Sequence, residues 1–243
     1  MTLSEQEFAQ RLRLATPRTW ATRSVIGVNV LVWLAMLATG TDPMRPEVQT
    51  LIDWGANLLP LTIDQPWRLL TATMLHAGLI HLGFNMWVLW DAGRIAERFY
   101  GSAQFLLIYL LAGLFGSLAS LFFAAREGVS VGASGAVFGV VGALLGALFT
   151  KPGKMPPGLV QGLRSSMLLF VGYSLFMGFV SSFVDNAAHV GGLIAGFVTA
   201  VLLAERFDWE EYRRSAIQRA CLAIGISMVA AFVIWRLVPV PVA

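Results

Sequence analysis

Long apolar runs separated by short polar segments dominate the chain. Seven of these runs are continuous rather than alternating, and most approach the length of about 20 residues that a helix needs to cross a bilayer. The predicted helices cover residues 25–39, 77–96, 103–124, 132–149, 165–183, 187–204 and 217–238. Because lipid offers the backbone no hydrogen bonds, spanning segments are helices or closed barrels, and continuous runs favour helices. The pattern predicts an all-α polytopic membrane protein.

The segments between the runs divide the chain. Residues 1–24 are polar and form a predicted N-terminal segment, and residues 25–204 form a core of six predicted helices. Within that core, segment 40–76 mixes four prolines with tryptophan and leucine, which indicates a structured loop at the membrane interface. Residues 205–216 are rich in both signs of charge and are expected to be a solvated linker before the seventh helix, 217–238.

Composition and charge agree with a membrane protein. Of the 243 residues 57% are hydrophobic and 13% are charged, whereas soluble domains carry about 25% charged residues. The net charge of +3 does not indicate nucleic-acid binding, because the charges lie between apolar runs. Placing the N-terminus in the cytoplasm puts 13 of the 17 lysines and arginines inside, with Arg126 among the four outside. Short loops and the lack of a targeting peptide favour a bacterial plasma membrane.

Polar groups within apolar spans are functional candidates, because they cost free energy there. All three histidines, His76, His81 and His189, fall in or beside predicted spans. In this topology Ser134, His81 and His189 lie near the outer ends of three different helices, roughly 5–10 Å below the outer surface at 1.5 Å per residue. Asn85 follows His81 by four residues and shares its helical face. The sequence therefore predicts a buried hydrolytic site that opens to the outside.

The chemistry of these residues suits acyl transfer. A serine hydroxyl needs an adjacent base, and histidine exchanges a proton near neutral pH. The oxyanion of the tetrahedral intermediate needs fixed donors, for which the Ser134 backbone N–H, Asn85 and His81 are available. Asp185 lies one turn before His189 and is expected to point outward, which favours a Ser–His dyad over a triad. No Cys/His cluster indicates a metal, and no cofactor is expected.

The spacing of glycines indicates how the helices that carry Ser134 and His189 could pack closely. Gly135 and Gly139 are spaced by four on one predicted helix, and Gly192 and Gly196 are spaced by four on another. Small-residue faces allow helix backbones to approach closely in lipid, although such faces usually indicate packing alone. Close packing of these two helices would bring Ser134 within reach of His189.

These residues, taken together and in this order, resemble the rhomboid intramembrane proteases. The resemblance covers roughly residues 50–200 and rests on several motifs. They are Trp67-Arg68, His76, the His81-x-x-x-Asn85 pattern, Glu97-Arg98 with Gly101, the Gly132-x-Ser134-Gly135 motif, and the Ala188-His189-x-Gly-Gly segment that runs through Gly192 to Gly196. A lone G-x-S-G motif would be weak evidence, because soluble esterases use similar turns.

The resemblance implies a six-helix rhomboid core with a C-terminal transmembrane helix appended. It implies a serine endopeptidase that cuts single-span or polytopic membrane-protein substrates in or near their spans, surrounded by membrane lipid. It assigns Ser134 as nucleophile, His189 as base, and His81, Asn85 and the Ser134 backbone to the oxyanion hole. His76, Trp67 and Arg68 match positions of structural importance. Phe138 stands where some members carry a tyrosine that packs on the histidine.

Three other classes remain to be weighed. A non-catalytic rhomboid relative acting as a scaffold would lack the serine or the histidine, and both are present. A transporter or channel with a proton path would carry paired Asp, Glu or Lys residues in mid-membrane, and no apolar run contains such a pair. A soluble α/β-hydrolase would place a strand before the G-x-S-G motif, where this chain has apolar spans. The substrate and the oligomeric state are not predicted.

Overall fold

Helices make up nearly all regular structure of the protein. The structure is a computed structural model that describes residues 3–123, 128–181 and 184–239, so Arg126 and parts of two predicted helix ends lie outside the described residues. The helices are α1 (Glu5–Ala15), α2 (Trp20–Ala38), α3 (Val48–Asp53), α4 (Leu59–Thr62), α5 (Arg68–Thr71), α6 (Leu79–Val88), α7 (Arg94–Tyr100), α8 (Ser102–Phe123), α9 (Ser134–Thr150), α10 (Pro157–Val180), α11 (Asn186–Leu202) and α12 (Trp209–Leu237).

The predicted all-α polytopic fold is confirmed. Within the described residues, four helices, α2, α8, α10 and α12, are long and apolar enough to cross a membrane. A fifth candidate span is the bent pair of Arg68–Met74 and Leu79–Tyr100, which is long and apolar enough only when both parts are taken together and which bends by 93°. Its second part joins α6 and α7 through a π-helical turn at Leu89–Gly93. The shorter apolar helices α9 and α11 have 17 residues each, about 25 Å at 1.5 Å per residue. Because a hydrocarbon core is about 30 Å thick, an end of a helix this short lies below the membrane surface.

Helix α9 is the centre of the bundle. The fourteen residues from Gly135 to Leu148 are all buried, and α8 and α11 pack on α9 and on each other. Glycine permits this approach: a β-carbon at Gly192 would overlap the carbonyl oxygen of Gly135, and one at Gly196 would overlap that of Gly139. Backbone therefore contacts backbone along both small-residue faces, as association in lipid favours.

The loop between α2 and α6 is structured. It contains the short helices α3, α4 and α5 and a 3₁₀ turn at Ala72–Met74. Arg68, only 6% exposed, donates from Nη1 to the carbonyls of Ile52 (2.7 Å) and Ala56 (3.1 Å). Its guanidinium also lies 4.8 Å from the ring centre of Trp67. This arginine holds three parts of the loop together, because its donors satisfy carbonyls that the loop cannot pair itself.

The charged segment after α11 differs from the expected solvated linker. Glu205 is 1% exposed and forms an ion pair with Lys151 from the end of α9, and Lys151 also lies 3.2 Å from Glu211. Burial raises the pKa of the Glu205 carboxyl, and the Lys151 ammonium opposes that shift. Helix α12 begins at Trp209, eight residues before the predicted start, so only a short connection separates it from α11. The C-terminal part of α12 packs through Val238 against Leu59, Leu69 and Leu118 of the loop and α8.

The N-terminal helix α1 was not among the predicted helices. Ser4 and Glu7 form a capping box, in which the Ser4 hydroxyl accepts from the Glu7 N–H and the Glu7 carboxylate accepts from the Ser4 N–H. Phe8 packs edge-on against Phe99 of α7, with ring centres 6.4 Å apart, and lies 5.9 Å from the ring of Phe207. The helix thereby joins the beginning of the chain to the segment before α12.

Glu97 holds the starts of two helices in place. This carboxylate is fully buried and accepts from the N–H groups of Ala21 and Thr22, from the Thr22 hydroxyl, and from Ser102 at the start of α8. A carboxylate at helix N-termini satisfies unpaired N–H groups and complements the helix dipoles. We expect Glu97→Ala to destabilise the protein by about 3 kcal/mol, because three buried donors and the partly buried Ser102 hydroxyl lose their acceptor. Thermal unfolding in detergent measures this, with Glu47→Gln at an exposed carboxylate as control. An unchanged melting temperature for Glu97→Ala would contradict it.

Candidate active site

Ser134 is the first residue of α9. It is partly exposed, and the rest of the first turn is apolar and buried, as are the residues that follow through Leu148. The first N–H groups of a helix have no intrahelical acceptor and lie at the positive end of its dipole. The Ser134 side chain and N–H group therefore lie where developing negative charge is favoured.

Gly132 makes the turn into α9. Its φ of +127° lies in the region that disfavours residues with a β-carbon. A β-carbon there would lie 2.7 Å from Cε1 and 2.9 Å from Nε2 of His81, so the imidazole covers this turn directly. The Gly132 N–H donates to the carbonyl of Ala72 at 2.9 Å. Glycine is required here by the backbone angle and by the ring that contacts it.

His189 lies in the first turn of α11, against the first turn of α9. Its ring stacks on Phe138, with centres 4.1 Å apart and planes 9° from parallel. Phe138 follows Ser134 by one helical turn. A β-carbon at Gly135 would lie 3.2 Å from the carbonyl oxygen of Ala188, so the backbones also touch beside the histidine. Phe138 orients the imidazole by its ring face, without a hydroxyl.

The carboxylate of Asp185 is engaged elsewhere. Asp185 is the N-cap of α11, and its side chain accepts from the N–H of Ala188 at 2.9 Å. Nδ1 of His189 is buried and has no hydrogen-bond partner among the residues that the structure describes. The arrangement therefore provides a histidine without an orienting carboxylate in the described part of the chain.

His81 and Asn85 share one face of α6. Nδ1 of His81 accepts from the N–H of Ala77 at 3.3 Å, so in the neutral ring the proton resides on Nε2, the atom beside Gly132. The His76 ring packs edge-on at 5.2 Å from the His81 ring. Asn85 is 4% exposed and donates one N–H to the carbonyl of His81 at 2.9 Å, which leaves its second N–H free of that bond. The face thus offers a ring N–H and an amide N–H.

Asn57, which belongs to none of the sequence motifs, connects the loop to the turn before α9. Its backbone exchanges hydrogen bonds of 3.0 and 2.9 Å with Ser130. Its side chain donates to the Ser117 carbonyl (3.0 Å) and accepts from the Thr62 hydroxyl (2.9 Å). The signal in the sequence that could have pointed to Asn57 was a single asparagine within a loop of largely apolar residues. With the Gly132–Ala72 bond, this network fixes the backbone that leads into Ser134.

Among the described residues, no three of the His, Cys, Asp and Glu side chains form a group that could hold a metal ion.

Comparison with known proteins decides the family. The family model described as the rhomboid domain matches residues 64–206, which is more than half of the chain and includes His76 through His189. The chain belongs to the rhomboid family. Helices α1 to α4 and the whole of α12 lie outside the matched residues.

Curated rhomboid relatives extend the match. The Rhomboid protease GluP of Bacillus subtilis is 43% identical over 203 residues, covering 82% of this chain and 38% of that protein. RHOMBOID-like protein 6, mitochondrial, of Arabidopsis thaliana is 39% identical over 229 residues, covering 81% and 73%. Rhomboid-like protease 2 of Toxoplasma gondii is 33% identical over 210 residues, covering 82% and 72%. The chain thus spans well under half the length of its Bacillus relative and nearly three quarters of the other two.

Proposed function

We propose that this rhomboid protein is an intramembrane serine endopeptidase that hydrolyses peptide bonds in or near the spans of membrane-protein substrates. The observation that supports this most strongly is the meeting of three segments at the start of α9. Ser134 begins that helix, His189 is stacked on Phe138 one turn further, and the His81 ring covers Gly132 two residues before. Two of the three relatives described above also carry the word protease in their names.

The proposed reaction uses a dyad. His189 removes the proton from the Ser134 hydroxyl as its oxygen attacks the scissile carbonyl carbon. The resulting oxyanion accepts hydrogen bonds from the Ser134 N–H, from Nε2–H of His81 and from the Asn85 amide. Collapse breaks the C–N bond, and the imidazolium gives its proton to the leaving amine. Water, activated by the same histidine, then hydrolyses the acyl-enzyme.

The proposed topology places the N-terminus in the cytoplasm and the site toward the outside. It rests on the excess of lysine and arginine in segments on one side, which sets orientation in short-loop membrane proteins. The short length of α9 fits a recessed serine that water reaches from one side only.

A serine-reactive fluorophosphonate probe tests the proposal together with cleavage of a generic single-span substrate in proteoliposomes. We expect the wild-type protein to be labelled at Ser134 and to cut the substrate. Labelling without cleavage would mean that an active enzyme was offered the wrong substrate. The absence of both labelling and cleavage would contradict the proposal. That result would favour the rival function of a non-catalytic rhomboid scaffold.

We expect Asn85→Ala to lower kcat by about 10²-fold with little change in KM, because an oxyanion donor acts mainly in the transition state. Asn29→Ala is the matched control. Asn29 on α2 is also buried and also donates to the carbonyl four residues earlier, that of Val25 at 2.8 Å. Steady-state kinetics in one detergent compare the two. An equal loss of kcat in both variants would assign Asn85 a packing role instead.

A further inference from the structure

A cavity at the other end of α9 is not part of the catalytic arrangement. It has a volume of about 520 Å³ and opens between the 3₁₀ turn at Pro152–Lys154 and the first two turns of α10. Its lining residues are Pro152, Gly153, Pro157, Val160, Gln161, Arg164 and Ser165. Helix α9 ends at Thr150 and α10 begins at Pro157, so the cavity lies at the level of helix ends, where lipid headgroups meet a membrane protein.

The polar side of this cavity comes from one face of α10. Gln161, Arg164 and Ser165 are spaced at i, i+3 and i+4, which places their side chains together. Arg164 donates from Nη2 to the carbonyl of Leu148 at the C-terminal end of α9, and its guanidinium lies 4.5 Å from the ring centre of Phe149. Its Nε has no partner among the described residues. Because Nε is buried and one N–H of Nη2 is used, the N–H groups of Nη1 and the second N–H of Nη2 remain for a ligand.

The positive charge of Arg164 is not neutralised nearby. The two lysines between α9 and α10 are paired in the described structure, Lys151 with Glu205 and Glu211, and Lys154 with Asp208. Arg164 takes part in none of these ion pairs, and no carboxylate lines the cavity. At the start of α10, the Glu5 carboxylate lies beside Gly158, which does not line the cavity.

We propose that this cavity binds the headgroup of an anionic phospholipid. The guanidinium, the Gln161 amide and the Ser165 hydroxyl donate to the phosphate oxygens, and the proline and valine walls contact the glycerol and the first methylenes of the acyl chains. A free phosphate ion would leave those apolar walls unused. The absence of a lining carboxylate disfavours choline headgroups, whose ammonium would lie beside Arg164 without a counter-charge.

Native mass spectrometry of the full chain in detergent tests this with three probes: phosphatidylglycerol, phosphatidylcholine and glycerol 3-phosphate. We expect the wild-type protein to retain phosphatidylglycerol in preference to both others. Arg164→Gln is expected to weaken that binding about tenfold, as loss of a charged donor does. The matched control is Arg213→Gln, at an arginine that lines a separate surface hollow with Trp209 and Glu210; binding should be unchanged.

A second variant separates binding from folding, because Arg164 also caps α9. Gln161→Trp fills the cavity and leaves the bond from Arg164 to Leu148 intact, and it should exclude the lipid as well. Equal lipid retention by Gln161→Trp and wild type would overturn the proposal. Equal retention of phosphatidylcholine, binding of glycerol 3-phosphate as tight as that of the lipid, or an equal loss in Arg213→Gln would also overturn it.

Discussion

Replacing Ser134 by alanine is expected to reduce cleavage of a membrane substrate by about 10⁶-fold, to the background of the assay. The alanine removes the only atom that forms the acyl-enzyme in the proposed mechanism, so the covalent route is lost. The fold should persist, because Ser134 is partly exposed at the start of α9 and its helix is held by glycine contacts further along. Cleavage in proteoliposomes and thermal unfolding in detergent measure the two quantities.

Ser120→Ala is the matched control for this experiment. Ser120 is a buried serine on the neighbouring helix α8, and its loss should leave cleavage unchanged. If Ser134→Ala still cuts and is free of contaminating protease, another nucleophile is responsible and the proposed mechanism is wrong. A Ser134→Ala protein that unfolds would leave cleavage uninformative, and fluorophosphonate labelling of the wild type then decides whether the serine is reactive.

Gly196→Val is expected to destabilise the protein by about 3 kcal/mol and to remove most of its activity. A β-carbon at this position would overlap the carbonyl oxygen of Gly139 and lie 2.5 Å from its α-carbon. Both are backbone atoms, so relief requires α11 to move away from α9 rather than a side chain to rotate. Since α11 carries His189 and α9 carries Ser134, the same movement separates the proposed dyad. Unfolding in detergent and cleavage in proteoliposomes should therefore fall together.

Gly225→Val provides the control. Gly225 lies within α12, and a β-carbon there would have nothing within 4 Å. The same change of residue in a helix should then alter stability by well under 1 kcal/mol, since a surface helix position carries only a propensity term. Equal destabilisation by both variants would show that valine acts through helix propensity and not through the contact between α9 and α11.

The predicted spans agree well with the observed helices where the apolar run is bounded by polar residues. The run at 103–124 corresponds to α8, Ser102–Phe123, and the run at 187–204 to α11, Asn186–Leu202. The agreement is poorer for α10, which begins at Pro157 rather than at residue 165. Proline is favoured in the first turn of a helix, so the helix extends into a polar segment that hydropathy excludes.

Two further differences, the helix α1 and the burial of Glu205, have different causes. The capping box of Ser4 and Glu7 predicts the start of α1, but hydropathy alone passes over a helix whose buried residues are only Phe8 and Leu12. Glu205 belongs to a charge-rich stretch that is typical of a solvated linker. Its burial depends on Lys151, which is 54 positions away in the sequence and meets it only after α9 and α11 have packed.

The sequence by itself determined the membrane-spanning class, the approximate helices and the family resemblance, because apolar length and residue motifs are local properties. The same motifs put forward Ser134, His189, His81 and Asn85 as site residues, and their catalytic roles stay predictions. Only the tertiary structure decided that Phe138 stacks on His189, that the His81 ring covers Gly132, and that Asp185 caps α11 instead of orienting the histidine. These contacts join residues on different helices, and the packing of glycine backbones sets the distances between them.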